Sequence, residues 1–279
     1  MGARAKNIEK EMSFLDHLEE LRWHLIKSTI AVVLFGTVAF VFKSFVFDVL
    51  ILGPKSADFP TYKLLCKSAI MLNMDYFCFT ELPFAVQSRT MAGQFSVHIW
   101  TSITAGFIVA FPYVLFQFWQ FISPGLRLNE RKSARGFIFV ASLLFFIGVL
   151  FGYYVVTPLS MHFLGTYQVS AEVLNEFDIS SYIGLVRACA LSGGVIFELP
   201  IIIYFLTKIG LVTPELMKKY RKFAIVVVLI LSAIITPPDI ASQIIVAIPV
   251  VILYEISIFI SRAVIKKQNK KAAANVKSS

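Results

Sequence analysis

Charge is scarce in this sequence. Asp, Glu, Lys and Arg together make 15% of its 279 residues and hydrophobic residues make 57%, whereas a soluble domain carries about 25% charged residues. Other absences narrow the chemistry. The four histidines, His17, His24, His98 and His162, lie far apart. There is no Gly-rich phosphate loop, no Ser/His or Ser/Lys grouping, no Gly-Asp pair of the intramembrane-protease kind and no pair of transmembrane aspartates. The residues therefore predict no enzyme, no cofactor and no metal site. No internal repeat is visible, so an inverted-repeat transporter has no support. The first 22 residues are rich in charge and no small-residue cleavage site follows the first apolar run, which predicts an anchor rather than a cleaved signal peptide.

Apolar stretches of about 20 residues recur instead, separated by polar punctuation and without strand-like alternation. In lipid every backbone N–H and C=O must be satisfied internally. The expected fold is an all-α integral membrane protein of six helices, at about 23–42, 95–121, 137–160, 183–207, 223–236 and 240–260. The last two read as short. The fifth would reach only about 21 Å against a hydrocarbon core of about 30 Å. Two short helices joined by Thr236-Pro237-Pro238-Asp239 imply a thinned bilayer or a cavity.

The +9 net charge is confined to loops. Of 26 Lys and Arg residues, 20 fall in four regions: the N-terminal segment through Lys27, the loop from Arg127 to Arg135, the loop from Lys208 to Lys222, and the tail from Arg262. With six helices all four share one side, so both termini are expected in the cytoplasm. The 161–182 loop has Glu172, Glu176 and Asp178 and no base. Residues 1–22 read as a cytoplasmic amphipathic segment and 23–261 as the membrane domain. Within that domain, 43–94 reads as an external cap, and 262–279 beyond it as an unstructured basic tail. Cys66 and Cys78 share the cap loop, where either a disulfide or two free thiols can exist; the bridge is the favoured expectation. Cys189, within the fourth helix, reads as a small core residue.

Few residues can carry recognition chemistry. Phe14, Leu18, Leu21 and Leu25 recur at helical spacing, so the N-terminal segment continues into the first span with Asp16, Glu19 and Glu20 on its other face. Those acids are either a solvated face paired within the helix or a receiver for a cationic ligand. Glu130, the only acid among four bases in the second basic loop, is either a local ion pair or a second such carboxylate. Glu198 lies deep in the fourth helix just before Pro200, where ionisable groups usually face a cavity or a partner. Gln243, in the sixth helix, is either an interhelical hydrogen bond or a cavity group. From these residues alone, a proton-coupled or small-solute transporter using Glu198 is the competing reading.

Five stretches in order decide against it. They are Phe14-Leu15-Asp16-His17-Leu18-Glu19-Glu20-Leu21-Arg22; Phe116-Gln117-Phe118-Trp119-Gln120-Phe121-Ile122-Ser123-Pro124-Gly125-Leu126 with Glu130-Arg131 beyond; Phe197-Glu198-Leu199-Pro200; Thr236-Pro237-Pro238-Asp239-Ile240-Ala241-Ser242-Gln243; and Ala247-Ile248-Pro249 with Leu253-Tyr254-Glu255. Together they resemble the TatC family, from about residue 12 to 262. The resemblance implies a six-helix, glove-shaped receptor in the cell inner membrane that binds twin-arginine signal peptides of folded cargo. It implies that Glu20 and Glu130 contact the arginine pair, with Arg22 and Phe121 shaping the site. Glu198, Asp239 and Gln243 would line an intramembrane cavity and meet TatA- and TatB-type single-span subunits, in a complex holding several copies of this chain. Pro54, Pro124, Pro237, Pro238 and Pro249 would be structural. Residues 55–94 are longer than the family pattern, so nothing else is carried over there. The physics agrees with such a role: a guanidinium accepts only anionic or carbonyl partners, and a carboxylate matches its planar fork.

Overall fold

In a computed structural model of the chain, the structure describes residues 14–71, 78, 84–122, 134–170, 172–235 and 240–277. The helices are α1 (Phe14–Val41), α2 (Pro60–Met71), α3 (Gly93–Ile122), α4 (Ala134–Phe151), α5 (Thr157–Thr166), α6 (Ile179–Phe197), α7 (Leu199–Lys208), α8 (Pro214–Lys219), α9 (Arg221–Ile235) and α10 (Ile240–Lys277). Two short strands, β1 (Ala85–Gln87) and β2 (Glu176–Asp178), pair in parallel, Val86 opposite Phe177.

Several helices join into longer rods. A π-helical stretch, Gly152–Val156, links α4 to α5. Pro200 has no N–H to donate, so the helical ladder breaks at Glu198 and α6 is followed directly by α7. Among the described residues, five rods are long and apolar enough to cross a membrane: His17–Val41, Gly93–Ile122, Gly136–Thr166, Ile179–Lys208 and Gln243–Lys270. Their outer faces expose large apolar side chains such as Val33, Leu34, Phe139 and Phe259, a surface suited to lipid rather than water. The chain is an all-α, multi-pass integral membrane protein. The sixth apolar helix, α9, is short as expected: its 15 residues reach about 22 Å.

Close packing holds the rods together. A Cβ on Gly106 of α3 would lie 2.5 Å from Gly36 N and Val32 O of α1, so those two backbones touch. α4 and α6 meet in the same way through Gly148 and Gly193. Phe145, Ile183 and Cys189 are fully enclosed along that seam.

The structure differs from the sequence reading in three places. The tail expected to be unstructured after residue 262 continues as α10 to Lys277, so the last helix is 38 residues long. No Gly or Pro follows Pro249 in this stretch, Ala, Lys and Gln favour helix there, and Gln268 Nε2 donates to Lys208 O at 3.0 Å. The fourth helix begins at Ile179, with Asp178 Oδ1 accepting from Ser180 N at 2.8 Å as its N-cap. The β1–β2 ribbon has no counterpart in an all-helical expectation; its strands are too short for alternation to show.

That ribbon belongs to a cap that includes residues 45–71, 84–92, 167–170 and 172–178. Phe59, Tyr62, Phe84, Met161, Tyr182 and Ile183 form its core. Tyrosine hydroxyls pin it to the helices: Tyr182 donates to Ile51 O at 3.0 Å, Tyr153 to Leu50 O at 2.7 Å, and Tyr62 to Pro158 O at 3.0 Å. Burial pushes the Tyr62 phenol above its ordinary range. Pro54 is buried within a short 3-10 turn. Cys66 and Cys78 form a disulfide, Cα to Cα 4.7 Å. Arg89 N donates to Asp178 Oδ2 at 3.1 Å. The Ser180 and Arg89 amides hold the Asp178 carboxyl below the usual range, so its contribution to the cap is present near neutral pH and lost as pH falls through that lowered value.

Candidate functional site

The end of the bundle opposite the cap holds a polar cluster between α1 and α3. α1 carries His17, Glu20 and His24 at intervals of three and four residues, which places them on one helix face. α3 supplies Gln117 and Phe121, also four apart. His24 Nδ1 lies 2.7 Å from Gln117 Oε1. His24 Nε2 lies 3.9 Å from Glu20 Oε1, with the two side chains 13% and 34% exposed. The second Glu20 oxygen, Oε2, is buried and has no hydrogen-bond partner among the described residues. The His17 ring stacks on Phe121, centroids 4.4 Å apart. Arg22, two residues from both Glu20 and His24, is exposed on the opposite face of α1. A shallow groove lined by Arg22, Leu25, Ile26 and Ile30 runs along that other face. A half-buried carboxylate with an unfilled acceptor oxygen is suited to a cation or a multi-donor group.

The structure brings Glu20 and, through His17, Phe121 to one site; Arg22 lies on the other face of α1. Glu130 and Pro124 lie outside the described residues. His17, His24 and Gln117 escaped functional notice in the sequence. The only signal for His24 was its place one turn beyond Glu20, and Gln117 is 93 residues away in the chain.

A second group of polar residues lies within the span. Glu198 caps the break between α6 and α7; it is half-buried and its Oε1 is enclosed without a partner. Arg187, three turns earlier on α6, likewise has a buried Nε with no partner, and the two do not pair. α9 and α10 pack against the break through Val228, Ala247 and Val250, which contact Ile196 and Leu199. Gln243 Nε2 donates to Leu229 O at 3.0 Å and so ties α10 to α9. Pro249 sits inside α10. Arg221 pairs with Glu255, and Tyr254 donates to Met217 O at 2.8 Å, holding the middle of α10. Asp239, Pro237 and Pro238 lie outside the described residues.

The family described as Sec-independent protein translocase protein (TatC) matches residues 16–249. The chain belongs to the TatC family. Its TatC relatives include the Sec-independent protein translocase protein TatC of Blattabacterium sp. subsp. Periplaneta americana, 44% identical over 94% of this chain and 100% of the relative. That of Aquifex aeolicus is 35% identical over 93% of this chain and 98% of the relative. A crystal structure of a TatC described as a twin arginine translocase receptor superposes with a TM-score of 0.66 at 33% identity, covering 89% of this chain and 99% of that one. TatC membership makes the chain a component of a Sec-independent protein translocase, a transport protein with protein partners.

Proposed function

We propose that this chain is the receptor subunit that reads the paired arginines of twin-arginine signal peptides on folded cargo. In this reading Glu20 takes one guanidinium and Glu130 the other, with Arg22 and Phe121 shaping the cleft. Glu198, Asp239 and Gln243 contact single-span TatA- and TatB-type subunits in a complex holding several copies of the chain. The protein sits in the cell inner membrane with both termini in the cytoplasm. The observation that carries the reading is the Glu20 carboxylate, half-buried between α1 and α3 with one oxygen enclosed and unpartnered. The Cys66–Cys78 bridge supports the orientation, since disulfides persist on the oxidising side, and the charge distribution of the loops agrees.

The test is a binding series with a twin-arginine peptide. Glu20→Ala and Glu130→Ala should each weaken binding by about 1.5–3 kcal/mol, the range for a hydrogen bond to a charged group. The loss should shrink at high salt, and a twin-lysine peptide should bind poorly to every variant. If both single variants bind like the parent, the acids are a solvated face and the reading falls. Separately, Glu198→Ala should leave the protein inserted and peptide-binding but unable to copurify with single-span partners. Undiminished copurification would remove Glu198 from the partner surface.

A further inference from the structure

Three acceptor positions converge at the base of α1, and no donor among the described residues fills them. Gln117 presents its amide oxygen to His24 at 2.7 Å. An amide oxygen only accepts, so Nδ1 of His24 carries the proton. In the neutral ring Nε2 is then a lone pair, and it faces Glu20 Oε1 at 3.9 Å, beyond hydrogen-bond reach. Glu20 Oε2, also enclosed, has no partner. A lone pair beside a carboxylate in a partly dry site is unfavourable unless something donates to both.

We propose that His24 is a direct ligand of the arginine site: its neutral imidazole and the Glu20 carboxylate together hold one guanidinium of the incoming peptide. The inference rests on the reading of Glu20 as an arginine receptor and adds the group that completes it. A guanidinium offers five N–H donors in a plane. Two can engage the carboxylate as a fork while a third reaches Nε2. An ammonium is a point charge on a flexible stem and matches this arrangement poorly. Protonated His24 would instead donate toward Glu20, fill the acceptor internally and repel the guanidinium. Peptide binding and proton binding therefore compete.

The groups facing His24 limit what else can titrate. α1 contributes His17, Glu20 and Lys27 on the same face, with Arg22 on the opposite one. α3, packed along it, contributes the neutral Gln117 and, one turn earlier, Tyr113. Arg127, Glu130, Arg131 and Lys132 belong to the adjoining loop outside the described residues. An ordinary imidazole titrates near pH 6.5 and an ordinary carboxylate near 4. Histidine is the side-chain type whose ordinary charge change falls between pH 7.5 and 5.5, so His98→Gln, at the other end of α3, serves as the control.

The experiment measures the affinity of an N-acetylated, histidine-free twin-arginine peptide for the full-length protein in detergent at pH 7.5 and 5.5. For the parent and for His98→Gln, affinity should fall about tenfold over that interval, the scale set by uptake of one proton. His24→Gln keeps a neutral acceptor; it should bind within about threefold of the parent at pH 7.5 and lose most of the pH dependence. Calorimetry of the unmodified protein at pH 6.5, in two buffers of different ionisation enthalpy, should show a fraction of a proton released on binding. A flat profile in the parent, an unchanged steep profile in His24→Gln, or no proton release would each overturn the role of His24. Glu20→Gln separates the two claims. If it binds like the parent at pH 7.5, the arginine site itself is wrongly placed. If it fails to bind while His24→Gln keeps the parent's profile, only the histidine is wrong.

Discussion

Gly193→Leu should leave little or no folded protein to purify, while Gly184→Ala on the same helix should be tolerated. A Cβ on Gly193 would lie 2.3 Å from Gly148 O and 3.1 Å from Gly152 Cα. The approach is reciprocal: a Cβ on Gly148 would meet Gly193 O at 2.3 Å, and one on Gly152 would meet Cys189 O at 2.1 Å. Every one of these obstacles is backbone, so no side chain can swing aside. Overpacking that side chains can absorb costs about 1–3 kcal/mol; a leucine here must push α4 and α6 apart and should exceed that range. In lipid the helices lack a hydrophobic drive to re-associate and depend on such close contact. Gly184 has nothing within 4 Å of its notional Cβ, so alanine there should gain up to about 1 kcal/mol of helix propensity. Thermal unfolding in detergent and size-exclusion profiles decide the matter. A Gly193→Leu protein melting within a few degrees of the parent would show that the seam between α4 and α6 is not tightly closed.

The second large effect is expected in the cap. The Cys66–Cys78 bridge closes a loop with a sequence separation of 12 residues. The chain-entropy argument gives about 3 kcal/mol for a loop of that size. The double change Cys66→Ser with Cys78→Ser should therefore lower the melting temperature and open the segment after α2 to protease. α2 itself should remain seated through Phe59, Tyr62 and Ala69, all buried. The parent treated with reductant should behave like the double variant. Identical protease patterns and melting temperatures in the oxidised parent and the double variant would mean the bridge contributes nothing to the cap.

How much of this was legible in the sequence depends on how local each feature is. Long apolar runs bounded by charge marked the membrane helices, because lipid imposes one length and one polarity on every span. Pro200 after Glu198 announced the break between α6 and α7, since a missing N–H is a property of one residue. Two cysteines in one loop were enough to favour their pairing. The β1–β2 ribbon was not legible: Ala85-Val86-Gln87 and Glu176-Phe177-Asp178 carry no pattern of their own and exist only because two distant loops meet. The π-helical stretch Gly152–Val156 lies against the Cys189 backbone, a tertiary contact that no local rule encodes. At the candidate site Glu20 and Phe121 came from motif resemblance, whereas the contact between His24 and Gln117 required knowing that α1 and α3 lie side by side. The helical continuation to Lys277 could have been foreseen. A Lys- and Ala-rich stretch without Gly or Pro favours helix, yet its charge suggested a solvated tail.

The β1–β2 ribbon also sets how the bundle can move. β1 is separated from the start of α3 by five residues, and β2 runs directly into α6, so the ribbon clasps those two helices at one end. α3 then extends 30 residues from Gly93 to Ile122, about 45 Å of lever arm. A tilt of only about 5° at the clasp would displace the far end by about 4 Å, comparable to the width of a guanidinium. Because α1 lies along α3 with the two backbones touching at Gly36 and Gly106, such a tilt would carry Glu20 and His24 along with Phe121 as one unit.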